Sequence, residues 1–172
     1  MALTSGRLSQ ALLDALPDAF RIYPDDAPPL LAHGTCHVKR QRYLFTKKLR
    51  LWRSQRHELR YLFHVPVLDF NSMALCLDTA MEQASAQIKP GQEHRRWDIS
   101  ILILCDTAHP DALERLERFG PTARYKLGFH GRMCARAAAI QPDTGEVTHS
   151  RHGRTLARFA ARVLQADAPE EA

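Results

Sequence analysis

The sequence predicts a single α+β domain built on one mixed, mostly antiparallel sheet. Apolar and polar residues alternate over several stretches, and four other stretches repeat apolar residues at helical spacing. The length of 172 residues suits one ordinary domain, and 45% apolar with 25% charged residues is typical of a globular protein. The predicted order is α-β-β-β-α-β-α-β-β-β-α, with helices packed on the apolar face of the sheet.

The N-terminal segment predicts a helix followed by an irregular connector. Ser5 is a suitable N-cap, and Leu8 and Leu12 follow at helical spacing. Four prolines between residues 17 and 29 then end regular structure. The chain therefore divides into residues 1–30 (helix and connector), 31–165 (the α+β domain) and 166–172 (an acidic tail).

Three strands are predicted to follow as an antiparallel meander, near residues 35–42, 43–53 and 57–66. In the second strand, Lys48, Arg50 and Trp52 share one face. In the third, Leu59, Tyr61, Phe63 and Val65 face one way, and Glu58, Arg60, Leu62 and His64 face the other.

The remaining elements alternate between helices and strands. A helix ends before Pro90-Gly91, and another begins at Pro110, a favourable first-turn position. His130-Gly131 is typical of a tight hairpin turn. The predicted ranges are a helix at 72–88, a strand buried on both faces at 97–105, a helix at 110–119, strands at 122–130, 132–140 and 146–149, and a helix at 153–165.

The modest net charge of +5 hides an uneven distribution along the chain. Residues 1–26 carry a net −2 and residues 166–172 a net −3, so residues 27–165 carry +10. Because strand alternation sends many of these cations outward, a polyanionic partner is expected, either nucleic acid or an acidic protein. The candidate residues are Lys48, Arg50, Trp52, Arg60, Arg124, Lys126, Arg132 and Arg136. Trp52 offers a plane on which a base can stack.

The opening order α-β-β-β-α-β resembles the core of the PD-(D/E)XK nucleases. The resemblance implies Mg²⁺-dependent cleavage, with acids on the second and third strands and a lysine two residues after the latter acid. Here the candidates are Glu58, Arg60 and Asp69, with Asp98 and Asp106 flanking the buried strand. Arginine replaces the expected lysine, and the second strand has no acid.

Several segments also resemble a family of small prokaryotic proteins of unknown function. These are TCHVKRQRYLFTKKLRLW (35–52), HELRYLF (57–63), HRRWDISILIL (94–104), ARYKLGFHG (123–131) and GEVTHSRHGRTLARF (145–159). The resemblance implies a shared α+β domain and no particular reaction.

Several other classes of protein lack their sequence features. The cysteines form no CxxC pair, and there is no Walker loop, GxGxxG or GxSxG motif. Short histidine and cysteine spacings such as His33-x-x-Cys36-His37 are more typical of turn and edge residues, so we expect no metal site and no cofactor, apart from Mg²⁺ in a nuclease. Since the apolar runs are too short for a signal peptide or a membrane span, a cytoplasmic location without a membrane partner is expected.

The sequence thus favours a non-catalytic binding domain. The alternatives are a metal-dependent PD-(D/E)XK-like nuclease, either active or degenerate, and a scaffold or regulatory subunit.

Overall fold

The computed structural model describes residues 5–18, 20–24, 27–43, 50–89, 94–125, 127 and 131–167. Its elements, in chain order, are α1 (Ser5–Asp14), β1 (Arg21–Pro24), β2 (Leu30–Tyr43), β3 (Arg50–Leu68), α2 (Phe70–Gln87), β4 (His94–Ala108), α3 (Pro110–Arg118), β5 (Thr122–Arg124), β6 (Arg132–Gln141), β7 (Glu146–His149) and α4 (Arg154–Asp167).

The seven strands form one sheet in the order β1-β2-β3-β4-β6-β5, with β7 also beside β6. Strands β3 and β4 pair in parallel, as do β4 and β6, and the other pairs are antiparallel. The predicted α+β class, the mixed sheet and the element order are confirmed. The hydrophobic strand β4 lies in the middle of the sheet, as its composition indicates.

Helices cover both faces of the sheet, rather than one apolar face as predicted. On one face, α2 and α3 pack on Tyr61, Phe63, Ile101 and their neighbours. On the other, α1 and α4 pack on a second cluster that includes Leu62, Leu102 and Ile140. The second face is polar at the start of the strands and apolar toward their ends. The apolar residues of α1 and α4 pack on the apolar half of that face.

The predicted strand at 43–53 is two strand ends rather than one strand. Tyr43, the last residue of β2, is the register partner of Arg50, the first residue of β3. The predicted range thus includes the end of β2 and the start of β3, residues 44–49 lie outside the described residues, and residues 57–66 continue the strand that begins at Arg50. Within the predicted connector, Arg21–Pro24 form β1, an edge strand paired with β2.

The strand predicted over 122–130 ends at Arg124. Leu127, placed by alternation on an apolar face, is instead 91% exposed and has a positive φ of 56°. A positive φ ends the extended backbone, so the alternation cannot continue through this residue. The chain rejoins the sheet after Gly131, whose φ is 118°.

Two cysteines fit the interpretation of small buried hydrophobic residues. Burial raises the pKa of Cys76 to about 12 and that of Cys105 to about 11. Neither forms a disulfide. Thiols that stay protonated in an apolar setting are poor nucleophiles. Among the described residues, no helix has the length and apolar character needed to cross a membrane.

Candidate functional site

The register of β3, β4 and β6 brings three rows of polar side chains to one end of the sheet face that α1 and α4 partly cover. Register partners on neighbouring strands point to the same face. The rows are Arg56–Arg96–Arg132, then Glu58–Asp98–Cys134, then Arg60–Ser100–Arg136. Strand β5 extends the first row, because Arg124 is the partner of Arg132. We call Arg56, Arg96, Arg132 and Arg124 the arginine row.

Asp98 lies in the row next to the arginine row and forms hydrogen bonds with two of the four arginines. Its carboxylate accepts a hydrogen bond from Arg56 Nε at 2.8 Å and another from Arg96 Nε at 2.9 Å. The Asp98 side chain is only 2% exposed, whereas those of Arg56 and Arg96 are 48% and 41% exposed. The buried carboxylate therefore fixes the inner ends of two guanidinium groups whose outer parts reach solvent.

Glu58 is the second carboxylate and binds the innermost arginines. Its Oε1 accepts hydrogen bonds from Arg60 Nη2 at 2.9 Å and Arg136 Nη2 at 3.3 Å. Arg136 also donates from Nε to Ser100 Oγ at 2.8 Å. A weaker ion pair of 3.7 Å joins Glu58 to Arg56, so the two carboxylates share one arginine.

Two aromatic rings enclose Arg60 where the polar rows meet the helices. The Arg60 guanidinium carbon lies 4.7 Å from the centroid of Phe20 and 5.1 Å from that of Phe159 on α4. Cation–π contact and burial hold Arg60 in place. Arg60 and Arg136 are mostly buried and belong to the base of the cluster rather than to its exposed edge.

The side chains of the three rows together with Arg124 form one cluster, and this cluster has an excess of positive charge. Six guanidinium groups face two carboxylates, which leaves four positive charges uncompensated within the cluster. Arg132 and Arg124 are exposed, and within the described part of the chain neither forms an ion pair. The excess charge is therefore concentrated along the arginine row.

Cys134 lies in the carboxylate row, partly buried. Burial raises the pKa of its thiol, the nearby Asp98 raises it further, and Arg136, Arg96 and Arg132 oppose the shift. The balance favours the neutral thiol, so Cys134 adds no charge to the cluster.

The structure brings together some of the predicted polyanion-binding residues. Arg124 and Arg132 belong to the arginine row, and Arg60 and Arg136 to its base. Lys48 and Lys126 lie outside the described residues. Arg50 and Trp52 lie on β3, but their side chains are also outside the described set.

Two arginines of the cluster, Arg56 and Arg96, were not among the predicted binding residues, and Asp98 was predicted only as a possible metal ligand. The signal was present in the alternation of Arg96, Asp98 and Ser100 with Trp97, Ile99 and Ile101. The strong apolar run that follows concealed it. The parallel pairing of β3 with β4, which aligns Arg56 with Arg96, is not visible in either segment alone.

Among the nuclease candidates, Glu58 and Arg60 lie together, and Asp98 is the register partner of Glu58. Asp69 follows the far end of β3 and caps α2 instead, accepting a hydrogen bond from Ser72 N at 2.8 Å. Hydrogen bonds from the backbone and side chain of Ser72, together with one from the Asn71 backbone, lower the pKa of the Asp69 carboxyl. Over the residues that the structure describes, no three His, Cys, Asp or Glu side chains are grouped as metal ligands.

The profile of the domain of unknown function DUF8052 matches residues 8–162. The chain belongs to this family. The expected membership of a family of unknown function is confirmed, and the DUF8052 match begins within α1, earlier than the segments that carried the resemblance. No curated protein and no solved structure matches the chain.

Proposed function

We propose that this DUF8052 protein binds the phosphate backbone of a nucleic acid along its arginine row, without cleaving it. The observation that carries the proposal is the alignment of Arg56, Arg96, Arg132 and Arg124 across four adjacent strands. Strands lie about 4.8 Å apart, so the row spans about 14 Å. One nucleic-acid strand presents a charge about every 3.4 Å along the helix axis, so about four phosphates fit this length.

Asp98 supports this function by orienting the arginines in advance. It accepts the Nε hydrogens of Arg56 and Arg96, and Glu58 lies 3.7 Å from Nη2 of Arg56, so both guanidinium groups are held from their inner side. Guanidinium groups that are already positioned lose less conformational entropy when they bind a phosphate.

The same contacts favour binding over metal-dependent cleavage. A nuclease would use Glu58 and Asp98 to hold Mg²⁺, a cation that prefers carboxylate and water oxygens. Both carboxylates instead accept hydrogen bonds from arginine, and the positive charges around them oppose a divalent cation.

Binding should depend steeply on salt. With a fluorescent 20-base-pair duplex, we expect anisotropy to give a slope of log K against log[NaCl] of about −4 for four phosphate contacts. The double variant Arg96→Gln/Arg132→Gln should weaken binding and reduce the slope by about 2, one unit for each lost contact.

The matched control is Arg154→Gln/Arg158→Gln, which removes two exposed arginines from α4 and leaves the arginine row intact. It should change affinity much less. Equal losses in both double variants, or a salt-independent affinity, would contradict the proposal. Stoichiometric capture of an acidic protein without any oligonucleotide binding would favour a regulatory subunit instead.

The adjacency of Glu58 and Asp98 keeps the nuclease alternative testable. Incubation of supercoiled plasmid with Mg²⁺ or Mn²⁺ should leave it intact if the domain only binds. Nicking that Glu58→Ala abolishes would overturn the non-catalytic proposal.

A further inference from the structure

The opposite face of the same strands carries a row of rings. His37 on β2 is the register partner of His57 on β3, which in turn is the partner of Trp97 on β4. The rings of His57 and Trp97 stack with centroids 5.8 Å apart, and Tyr125 contacts the edge of Trp97. His37 lies at the exposed end of this row and Trp97 at its buried end.

The two histidine rings approach each other through equivalent nitrogen atoms. Nδ1 of His37 lies 2.9 Å from Nδ1 of His57, and the ring centroids are 4.1 Å apart. Metal–imidazole bonds measure about 2.0–2.1 Å, so nitrogens at this separation subtend an angle of about 90° at a shared metal ion. A tetrahedral Zn²⁺ would need them about 3.3 Å apart.

We propose that His37 and His57 form a two-histidine site for a divalent transition metal that prefers square-planar or octahedral geometry, with Cu²⁺ bound most tightly. An angle of 90° is that between neighbouring ligands in both geometries, and imidazole suits Cu²⁺ and Ni²⁺. The order of stability for nitrogen ligands also places Cu²⁺ above Ni²⁺ and Zn²⁺. Water completes the coordination.

Metal binding requires a change of tautomer and no net loss of protons from the neutral pair. In the hydrogen bond between the rings, one Nδ1 donates and the other accepts. When the metal binds, the proton moves to Nε2 of the donor ring, and the rings turn so that both Nδ1 lone pairs converge on the cation. Arg95, on the next row of β4, donates from Nη1 to the Lys89 carbonyl oxygen at 2.8 Å, so that end of its guanidinium is held by Lys89.

Trp97 provides a direct reporter of this site. The chain has two tryptophans, so the variant Trp52→Phe leaves Trp97 as the only one. Titration of that variant with CuSO₄ should quench Trp97 emission saturably at one Cu²⁺ per chain. His37→Gln or His57→Gln should raise the Cu²⁺ concentration at half-quenching by at least about tenfold. Loss of a residue that only hydrogen-bonds to a metal ligand already lowers metal affinity about tenfold, and loss of a ligand should lower it at least as much.

His152→Gln is the matched control, because His152 is exposed and lies beside Gly120, away from the ring row. It should leave the titration unchanged, and electron paramagnetic resonance of the 1:1 complex should show two coupled nitrogens. Quenching that neither His37→Gln nor His57→Gln alters, or that His152→Gln weakens equally, would overturn the proposal. Far-UV circular dichroism checks that each variant is folded.

Discussion

Replacing Gly131 by alanine is expected to lower the free energy of unfolding by about 3 kcal/mol, through backbone strain and overpacking together. Gly131 has a φ of 118°, which residues with a Cβ rarely adopt. An added Cβ would lie 2.6 Å from the Arg95 carbonyl oxygen and 2.7 Å from the Trp97 ring. Neither neighbour can move easily, because one is strand backbone and the other is a buried ring.

Gly145→Ala provides the matched control. Gly145 also has a positive φ, 72°, but a Cβ added there would have nothing within 4 Å. Only backbone strain remains, so the expected loss is about 1 kcal/mol. Urea unfolding measures both, provided the m-values agree with that of the unsubstituted protein. Equal losses in the two variants would show that the contact with Trp97 contributes nothing.

Gly131 also shows which structural features can be predicted from local sequence and which cannot. The pair His130-Gly131 predicted a tight turn, but β5 ends at Arg124 and pairs there with Arg132, so the connection spans residues 125–131. Only the positive φ of Gly131 fits the glycine signal. The close approach to Trp97 was not predictable, because it depends on the pairing of β4 with β6, two strands that are distant in the sequence. Glycine signals a special backbone, but the atoms that occupy the missing Cβ position come from the tertiary fold.

The arginine row likewise combines a feature that local sequence predicts with one that only the tertiary fold determines. Alternation correctly placed Arg132 and Arg136 on one face of their strand, because a period of two is a local property. It could not align them with Arg56, since strand order and parallel register are set by packing between distant segments. Polar residues at the start of a strand that ends apolar, as in β4, were the only local indication of the buried carboxylate.

Replacing Asp98 by asparagine is expected to lower the free energy of unfolding by about 3 kcal/mol, from the loss of two charge-assisted hydrogen bonds at about 1.5 kcal/mol each. About 1.5 kcal/mol is the lower end of the range for hydrogen bonds to charged groups. It applies to each bond because the side chains of Arg56 and Arg96 are nearly half exposed and can turn toward water. Asparagine preserves the shape of the side chain, so the change reports charge rather than a cavity.

A double-mutant cycle separates the ion pair from other effects. If Asp98 stabilises the fold through Arg96, then Arg96→Gln should cost less stability in the Asp98→Asn protein than in the original protein. Strict additivity of the two losses would contradict the contact between Arg96 Nε and the Asp98 carboxylate.

Asp98→Asn should also strengthen oligonucleotide binding at low salt, even as it weakens the fold, because there the added net charge outweighs the lost pre-positioning of Arg56 and Arg96. The substitution raises the excess charge of the cluster by one, and electrostatic affinity for phosphates rises with that charge. A metal-dependent nuclease predicts the opposite, because loss of a carboxylate ligand would abolish cleavage and weaken any Mg²⁺-dependent binding. Anisotropy titrations with and without Mg²⁺, at a temperature where the variant remains folded, distinguish the two. Weaker binding that only Mg²⁺ restores would contradict a phosphate-binding arginine row. Tighter, Mg²⁺-independent binding by a less stable protein would show that Asp98 balances the repulsion among the arginines at the expense of affinity.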